Sequence, residues 1–352
     1  MNKVSESIYE RGKHDKISTM IEAMRGWETS LSSSMEKPNG QFGRVVKIAT
    51  KSGLTLTNEL DIEFDVPFDD DAESNEASIT VYNLSNESIG MLKTDDEISI
   101  TAGYGNDTGV IFTGVISYID TKWRGQDKVT KITAIDDIER KEKDIESISY
   151  NAGVKASYVL KDLVGRLNLP LAVFKTVRDH TYSEAVTVSG GLMSNIKQYA
   201  EVCGVSAYIN KRKIYVRHLS DGDDLGFEVN VDTGLLDSPE KFSEEIKNEY
   251  YTDTVNGTGF KMLLEHRITT ASVISLKSRD FTGKYRVKEG RHVCNDADFY
   301  TEITAIVDFE VVFVEESETS TAEVKNTTIY SNPTTETPKL AGGGGFATML
   351  IK

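Results

Sequence analysis

The chain has 352 residues, of which 38% are hydrophobic and 27% charged, and its 56 acids against 40 bases give a net charge of −16. This length suffices for two or three ordinary domains, and the composition excludes a disordered chain and predicts a globular one. The excess of acids argues against an open nucleic-acid-binding surface, because phosphate contacts need clustered Lys and Arg. The excess of acidic residues either keeps the protein soluble or would repel DNA that passes along it.

The sequence also carries no sign of a membrane or secretory segment. No run approaches the roughly eighteen apolar residues of a transmembrane helix, and the first residues, MNKVSESIYERGK, lack the apolar core of a signal peptide. We therefore expect no stable membrane insertion. The two cysteines, Cys203 and Cys294, have no CxxC partners. They are expected to be reduced thiols, with Cys203 buried in an apolar context.

Residues 1–40 are predicted to form an N-terminal helical arm. Apolar residues recur at steps of three and four from Ile17 to Leu31. Two heptads are too short for an isolated coiled coil, so this helix docks either on its own domain or on a neighbouring subunit. The following SSSMEKPNG has the composition of a linker.

Residues 41–143 are predicted to form a first β-barrel domain. RVVKIATKSGLTLT contains a hairpin at Ser52-Gly53, DIEFDVPF alternates apolar residues with acids, and DDDAESNE is expected to be a solvated loop. The later segments ASITVYNL, EISITAGY, GVIFTGVISYI and KVTKITAID have the spacing of an all-β barrel or sandwich. Between the first two of these, YNLSNESIGML predicts a polar turn and a short helix.

The pattern of apolar and polar residues changes at residue 144, and residues 144–225 are predicted to be an α+β domain. VKASYVLKDLVGRLNLP is a helix that ends before Pro170, and a strand, a helix and a hairpin follow it. Residues 226–245 are a connector. Residues 246–312 are predicted to form a second β-barrel domain, with two strands around RDFTGK and clean alternation from Thr301 to Phe309.

Residues 313–352 are predicted to be a flexible C-terminal tail. They are rich in Thr, Glu and Ser, and Gly342 to Gly345 precede a short apolar end, FATMLIK. The apolar end on a flexible tether is either a docking segment or a frayed terminus.

Few residues suggest chemistry. His292, Cys294 and Asp296 could begin a metal site on a strand, but no further Cys or His completes it. The acids Asp69–Asp71 lack the oxygen spacing of a calcium loop. Asp136, Asp137 and Glu139 follow a strand and could supply a carboxylate pair, although such acids usually lie on solvated surface. We predict no catalytic, cofactor-binding or metal-binding residue, and no cofactor.

The stretch Asn75 to Ile116 resembles the N-terminal barrel of bacteriophage tail baseplate hub proteins. In that family a strand ends in a YNLS-like turn, a helical step leads into an I-x-V-x-A-G-Y strand, and an IF-x-G-x-I strand follows. Here YNLS occupies 82–85, ISITAGY 98–104 and IFTGVI 111–116. TGLLDSPEKFSEE is similar to the family's connector, and the stretch from His266 to Ile306 looks like its second barrel. The resemblance covers residues 42–309.

The resemblance implies a mainly β fold, with two small β-barrels flanking the α+β insert, and a structural role without enzyme activity. Hubs of this family are homotrimers whose six barrels form a pseudo-sixfold ring. The expected partners are the tail tube or distal tail protein and a central spike protein, with the tape-measure protein a candidate for the tail, 315–352. DNA would only pass through the channel. The protein would be located in the virion tail and assembled in the host bacterial cytoplasm.

Two other functions remain open on the residues alone. A tail-associated cell-wall hydrolase could use the acids near Asp136. A receptor- or glycan-binding tail module would need exposed aromatic residues, for which Tyr250 and Tyr251 are the candidates.

Overall fold

The computed structural model describes residues 43–71, 74–136, 144–247 and 251–313. The predicted N-terminal arm lies outside this part of the chain, as does the predicted tail beyond Phe313. The stretches that the structure does describe are mostly β-strand. The strands are β1 Arg44–Thr50, β2 Thr55–Thr57, β3 Ile62–Phe68, β4 Glu76–Tyr82, β5 Glu97–Tyr104, β6 Asp107–Arg124, β7 Asp127–Ile135, β8 Asp144–Tyr150, β9 Leu171–Phe174, β10 Val186–Gly191, β11 Ser206–Asn210, β12 Lys213–Arg217, β13 Asp223–Val229, β14 Glu240–Lys247, β15 Tyr251–Leu263, β16 Ser272–Lys277, β17 Thr282–Cys294 and β18 Phe299–Phe313.

Three short helices interrupt the strands in the part of the chain that the structure describes. They are α1 Asn86–Met91, α2 Ala156–Gly165 and α3 Leu192–Val202. A 3-10 turn, Val231–Thr233, follows β13. We refer to β1–β7 as the first sheet half, to residues 144–217 as the insert, and to β13–β18 as the second sheet half.

The two sheet halves form one continuous hydrogen-bonded sheet. Its order is β14-β15-β18-β17-β3-β4-β7-β6-β5-β1-β2, with β16 added to β17 and β13 added to β16. The β13–β16 pair is parallel, and the other pairs are antiparallel. The mainly β fold with an α+β insert is confirmed. Closure of either half into a barrel is not detected among the described strands.

The core of the first sheet half follows from strict alternation. β3 buries every second residue from Ile62 to Phe68 and turns Glu63 and Asp65 outward, as its sequence predicts. Each fully buried aliphatic side chain contributes about 1.5–3 kcal/mol. The largest fully buried side chains of this core include Ile48, Ile79, Ile98, Ile100, Ile116 and Ile132.

The YNLSNESIGML stretch is a turn and a short helix, as predicted. Asn83 leaves β4 with a positive φ of 55°, a conformation that Asn tolerates better than most residues. The Ser85 hydroxyl then caps α1 by accepting a hydrogen bond from the Ser88 N–H at 3.0 Å. Leu84 and Leu92, on either side of the helix, are buried in the first core. This crossover therefore packs on the core.

Strand β6 is unusually long and changes partner along its length. Its residues up to Val115 pair with β5, and those from Val115 to Arg124 pair with β7. The last part, with β7 and the turn at Gly125, forms a hairpin that we call the β6–β7 hairpin. The sequence predicted both strands but not the length of β6.

The insert has its own core. The helices α2 and α3 pack together, β8 pairs with β10, and β11, β12 and β9 form a three-stranded sheet. The strand, helix and hairpin predicted from the sequence are all present, and Cys203 is buried as expected. Fully buried members of this core include Val159, Leu160, Leu163, Leu192, Ile196, Ile214 and Val216.

The second sheet half is built on β15, β17 and β18. The two strands predicted around RDFTGK are β16 and β17. The alternation predicted for β18 holds from Thr301 to Ala305 and stops at Ile306, which is buried like its neighbour Ala305. A bulge follows between Val307 and Phe309, opposite Val255 and Asn256. Within the described ranges, no helix is both long and apolar enough to cross a membrane.

Candidate functional site: the junction of the two sheet halves

The two sheet halves meet where β17 pairs with β3. The register is antiparallel and places Gly290 opposite Phe68, and Cys294 opposite Phe64. The first part of β17, up to Arg286, pairs instead with β16. One strand thus belongs to the second half along its whole length and extends the first half with its last residues. We call this region, with the side chains that surround it, the junction.

Gly290 leaves room for the backbone of the neighbouring strand β18 and for the Phe68 side chain of β3. A Cβ atom at this position would lie 2.4 Å from the Glu302 carbonyl oxygen and 2.7 Å from Cζ of Phe68. The Phe68 ring packs over the backbone here and contacts the His292 ring, with 5.0 Å between the centroids. The glycine in KEGRH is therefore explained by packing.

His292 is a buried structural residue. Its Nδ1 lies 2.9 Å from the Thr301 hydroxyl, and the side chain is 1% exposed. Burial, together with the nearby charges of Lys211 and His266, lowers the pKa of His292 to about 3. The ring is consequently neutral at neutral pH.

His292 and Cys294, whose spacing could begin a metal site, are engaged in other contacts of the fold. The Cys294 thiol donates to the Ile62 carbonyl oxygen at 3.4 Å, and burial raises its pKa to about 11. Asp296 is exposed beyond the end of β17. No three His, Cys, Asp or Glu side chains in the described ranges are grouped to hold a metal ion. His292 and Cys294 are thus packing residues of the junction.

A buried ion pair makes a second connection between the halves. Asp70, just after β3, lies 2.7 Å from Arg286 of β17, and both side chains are nearly inaccessible. Arg286 also donates from Nε to the Asp221 carbonyl oxygen at 3.1 Å. The neighbouring Asp69 has its pKa raised to about 7 by burial and by the charge of Asp71. Part of the acidic loop that the sequence predicted to be solvated is therefore buried structure.

The tip of the β11–β12 hairpin reaches from the insert to the first sheet half. Lys211 and Arg212 both have positive φ, 48° and 61°, as the two central residues of a type I′ turn do. Lys211 Nζ donates to the Val110 carbonyl oxygen at 2.7 Å, and Arg212 pairs with Glu97 at 2.9 Å. Loss of hydration, with a smaller effect of the Lys213 charge, lowers the pKa of Lys211 to about 8.

The base of the same hairpin is fixed to the second sheet half by Arg217. Its guanidinium packs on the rings of Tyr208 and Tyr215, donates to the Tyr208 hydroxyl, and pairs with Asp223 at 2.9 Å. Arg217 is 2% exposed. The planar guanidinium suits such a site, because it stacks on aromatic rings while its N–H groups remain paired.

A further contact joins the start of β6 to the second sheet half. Arg267 bridges Glu265, at 2.6 Å, and Asp107, at 3.0 Å. Beside them the His266 ring covers Gly109, where a Cβ atom would lie 2.0 Å from Cδ2 of the ring. Burial lowers the pKa of His266.

The other sequence candidates do not meet at the junction. Asp136 is buried, and its carboxylate accepts hydrogen bonds from the N–H and the side-chain amide of Asn75 at 2.9 and 3.2 Å. The expectation that it is solvated is wrong, and its contacts are those of a loop anchor. Asp137, Glu139 and Tyr250, and the side chain of Tyr251, lie outside the described part of the molecule.

The side chains of the junction connect separate elements of the fold, and its titratable groups are held in unreactive forms. Its histidine is held neutral, its cysteine is held as a thiol, and its ion pairs link separate elements. Sequence reasoning missed Gly290, Arg217 and Arg286. The available signals were a glycine inside a strand and an arginine next to an apolar run. Neither signal identifies the distant residue that the glycine or the arginine contacts.

Comparisons with known proteins give a consistent result. A model of the family described as baseplate hub gp41 matches residues 47–285. The 43 kDa tail protein of prophage MuSo2 from Shewanella oneidensis is 7% identical and superposes with a TM-score of 0.56 over 75% of this chain and 96% of that one. A tail protein from Neisseria meningitidis MC58 is 8% identical, with a TM-score of 0.55 over 76% and 97%. These likenesses concern the fold, and no curated protein sequence matches the chain.

Proposed function

This chain belongs to the baseplate hub gp41 family, and on that premise we propose that it is the hub that joins a sixfold tail tube to a threefold central spike. The family makes it a structural component of a phage tail, located in the virion. The proposal adds the mechanism, which is symmetry matching. Three copies, each with two sheet halves, would present six sheet halves to the tube and three copies of the whole chain to the spike.

The observation that supports this mechanism best is the β17–β3 pairing. A symmetry adaptor requires that both halves of each copy keep a fixed relation, since independent halves could not build a regular ring. Five backbone positions pair across the junction, and a buried ion pair joins the same two elements. The hairpin of the insert contacts both halves as well. These connections favour one rigid body over two tethered domains.

The remaining parts of the proposal concern partners and place. The tail tube or distal tail protein and a spike protein are the proposed partners, the tape-measure protein is proposed for the segment 315–352, and assembly is proposed in the host cytoplasm. The net charge of −16 suits a channel that DNA passes through without sticking, because like charges repel.

Native mass tests the proposed trimer. We expect light scattering of the purified chain to give a mass near three times 39.0 kDa across a concentration series. Electron-microscopy class averages of the same sample should show a threefold ring with six sheet densities. A mass of one chain at every concentration, together with the absence of rings in the presence of purified tail tubes, would contradict the proposal.

A further inference from the structure

The β6–β7 hairpin carries a basic and aromatic surface on an acidic protein. Residues 118–131 contain four bases and two acids, whereas the whole chain has a net charge of −16. Trp123 is 70% exposed and Tyr118 is 58% exposed. We call this region, with Lys122, Arg124 and Lys128, the hairpin surface.

The hairpin surface has the composition of a binding site. Trp, Tyr and Arg dominate the energetics of protein interfaces because they combine a large apolar area with directed polar groups. Lys128 lies over the Trp123 ring at 6.0 Å from its centroid, and Lys122 pairs with Asp120 at 2.7 Å. Beyond Ile116 the outer edge of β6 has no strand partner among the described strands.

An acidic surface with exposed apolar residues lies on the second sheet half. Residues 228–240 contain four acids and neither Lys nor Arg. Val231, the first residue of the 3-10 turn, is 78% exposed, and Leu236, which follows the turn, is 53% exposed. We call this region, with Glu228, Asp232, Asp237 and Glu240, the connector surface.

The connector surface is a built feature and not a loose loop. Asn230 and Thr233 form a reciprocal capping box, with the Asn230 side chain accepting from the Thr233 N–H at 2.9 Å. The Asp237 carboxylate accepts from the backbone N–H of Lys261 at 2.8 Å. These bonds hold Val231 and Leu236 in the solvent, where each exposes apolar area that a partner could bury.

We propose that the hairpin surface of one copy binds the connector surface of the next copy. This inference rests on the proposed trimer and names the contact that would close it. The two surfaces have opposite charge, each exposes two large apolar side chains, and neither covers the other within one chain. One surface lies on the first sheet half and one on the second. A contact between two different surfaces is head-to-tail, which is the type that closes a ring of three.

Charge reversal on each surface tests the contact. The hairpin variant carries Lys122→Glu and Arg124→Glu, and the connector variant carries Glu228→Lys, Asp232→Lys and Glu240→Lys. We expect each variant alone to lose the trimer and to have a native mass near 39.0 kDa. A matched control, Lys197→Glu with Lys213→Glu on exposed positions of the insert, changes the charge as the hairpin variant does and should remain trimeric.

Two mixtures make the test specific for a head-to-tail contact. When the two variants are mixed one to one, a copy of one variant can bind a copy of the other, because two altered or two native surfaces then meet. A ring of three always places two copies of the same variant side by side, where an altered surface meets a native surface of the same charge, so the ring cannot close. They should give a mass of two chains. A chain carrying all five substitutions has both surfaces reversed, and it should recover the trimer.

The outcomes separate this inference from the proposed function. If the unaltered chain forms no trimer, either alone or with purified tail tubes, the proposed hub fails. If the unaltered chain and both variants are trimeric, the hub stands and the proposed contact is wrong. If the chain with all five substitutions stays monomeric while circular dichroism shows it folded, charge complementarity between the two surfaces is rejected.

Discussion

The junction and the hairpin surface use the same kinds of residue to opposite effect. At the junction, Arg217 and Arg286 are almost inaccessible and each has a carboxylate partner. On the hairpin surface, Lys122, Trp123 and Arg124 are exposed to solvent. A buried cation must be paired, because desolvation without a partner costs several kcal/mol. An exposed cation is hydrated and can therefore bind a group on another molecule. Burial, and not residue type, separates groups that hold the fold from groups that can bind another molecule.

The largest expected effect is at Gly290. Gly290→Ala places a methyl group 2.4 Å from a backbone oxygen, so the strands must move apart, and we expect a loss of about 2–4 kcal/mol in the free energy of unfolding. Gly259→Ala is the matched control, because its Cβ would meet its nearest neighbour at 3.9 Å. Urea denaturation of both variants measures the difference. Equal stability of the two would mean that the junction is loosely packed.

Breaking the buried ion pair comes next. Arg286→Met leaves Asp70 buried without its partner, and we expect a loss of about 3 kcal/mol. The exposed pair Lys284–Asp224, at 2.6 Å, serves as the control: Lys284→Met should cost less than about 1 kcal/mol. Thermal unfolding of the two variants ranks them. A similar loss from both would show that burial does not distinguish these pairs.

The pH dependence of stability sharpens the same contrast. The folded-state pKa of His292 is lowered from 6.5 to about 3, so the unfolded chain binds protons more readily. The contribution of His292 to the free energy of unfolding is complete above pH 6.5 and is lost as the pH falls toward 3. Between pH 7 and pH 5 we expect a loss of about 1–2 kcal/mol from this residue.

Other groups act in the same range. His218, with a pKa lowered to about 4, and His266, whose pKa is lowered by burial, add to the loss, and Asp69, with a pKa raised to about 7, opposes it. The measurement is therefore the difference between the unaltered chain and His292→Asn, each denatured with urea at pH 7 and pH 5. The variant should lose less stability on acidification. An unchanged pH dependence would contradict the assignment to His292.

The smallest effects are expected on the hairpin and connector surfaces. Trp123→Ser and Val231→Ser should change the free energy of unfolding by less than about 0.5 kcal/mol, because both side chains are largely in solvent before and after folding. Denaturation at a concentration low enough to keep the chain monomeric checks this. A large loss would show that these residues stabilise the fold of one copy.

The sequence predicted the elements well and their long-range partners poorly. Alternation identified β3, and turn residues identified the β1–β2 hairpin, since both signals are local. The pairing of β17 with β3 was not predictable from either strand, because nothing in 290–294 specifies which edge it meets. Asp136 was expected on the surface, since a carboxylate is buried only where a distant group, here Asn75, satisfies it.

The β17–β3 pairing has a consequence for how the chain folds. Position 65 must wait for position 293 to be synthesised, and at about 5–20 residues per second that wait lasts roughly 10–45 s. During it, the edge of β3 is a template for the wrong partner. Pro67 removes one donor from that edge, and Glu63 and Asp65 place charge beside it. These residues thus protect the edge of β3 against aggregation until β17 has been synthesised and can pair with it.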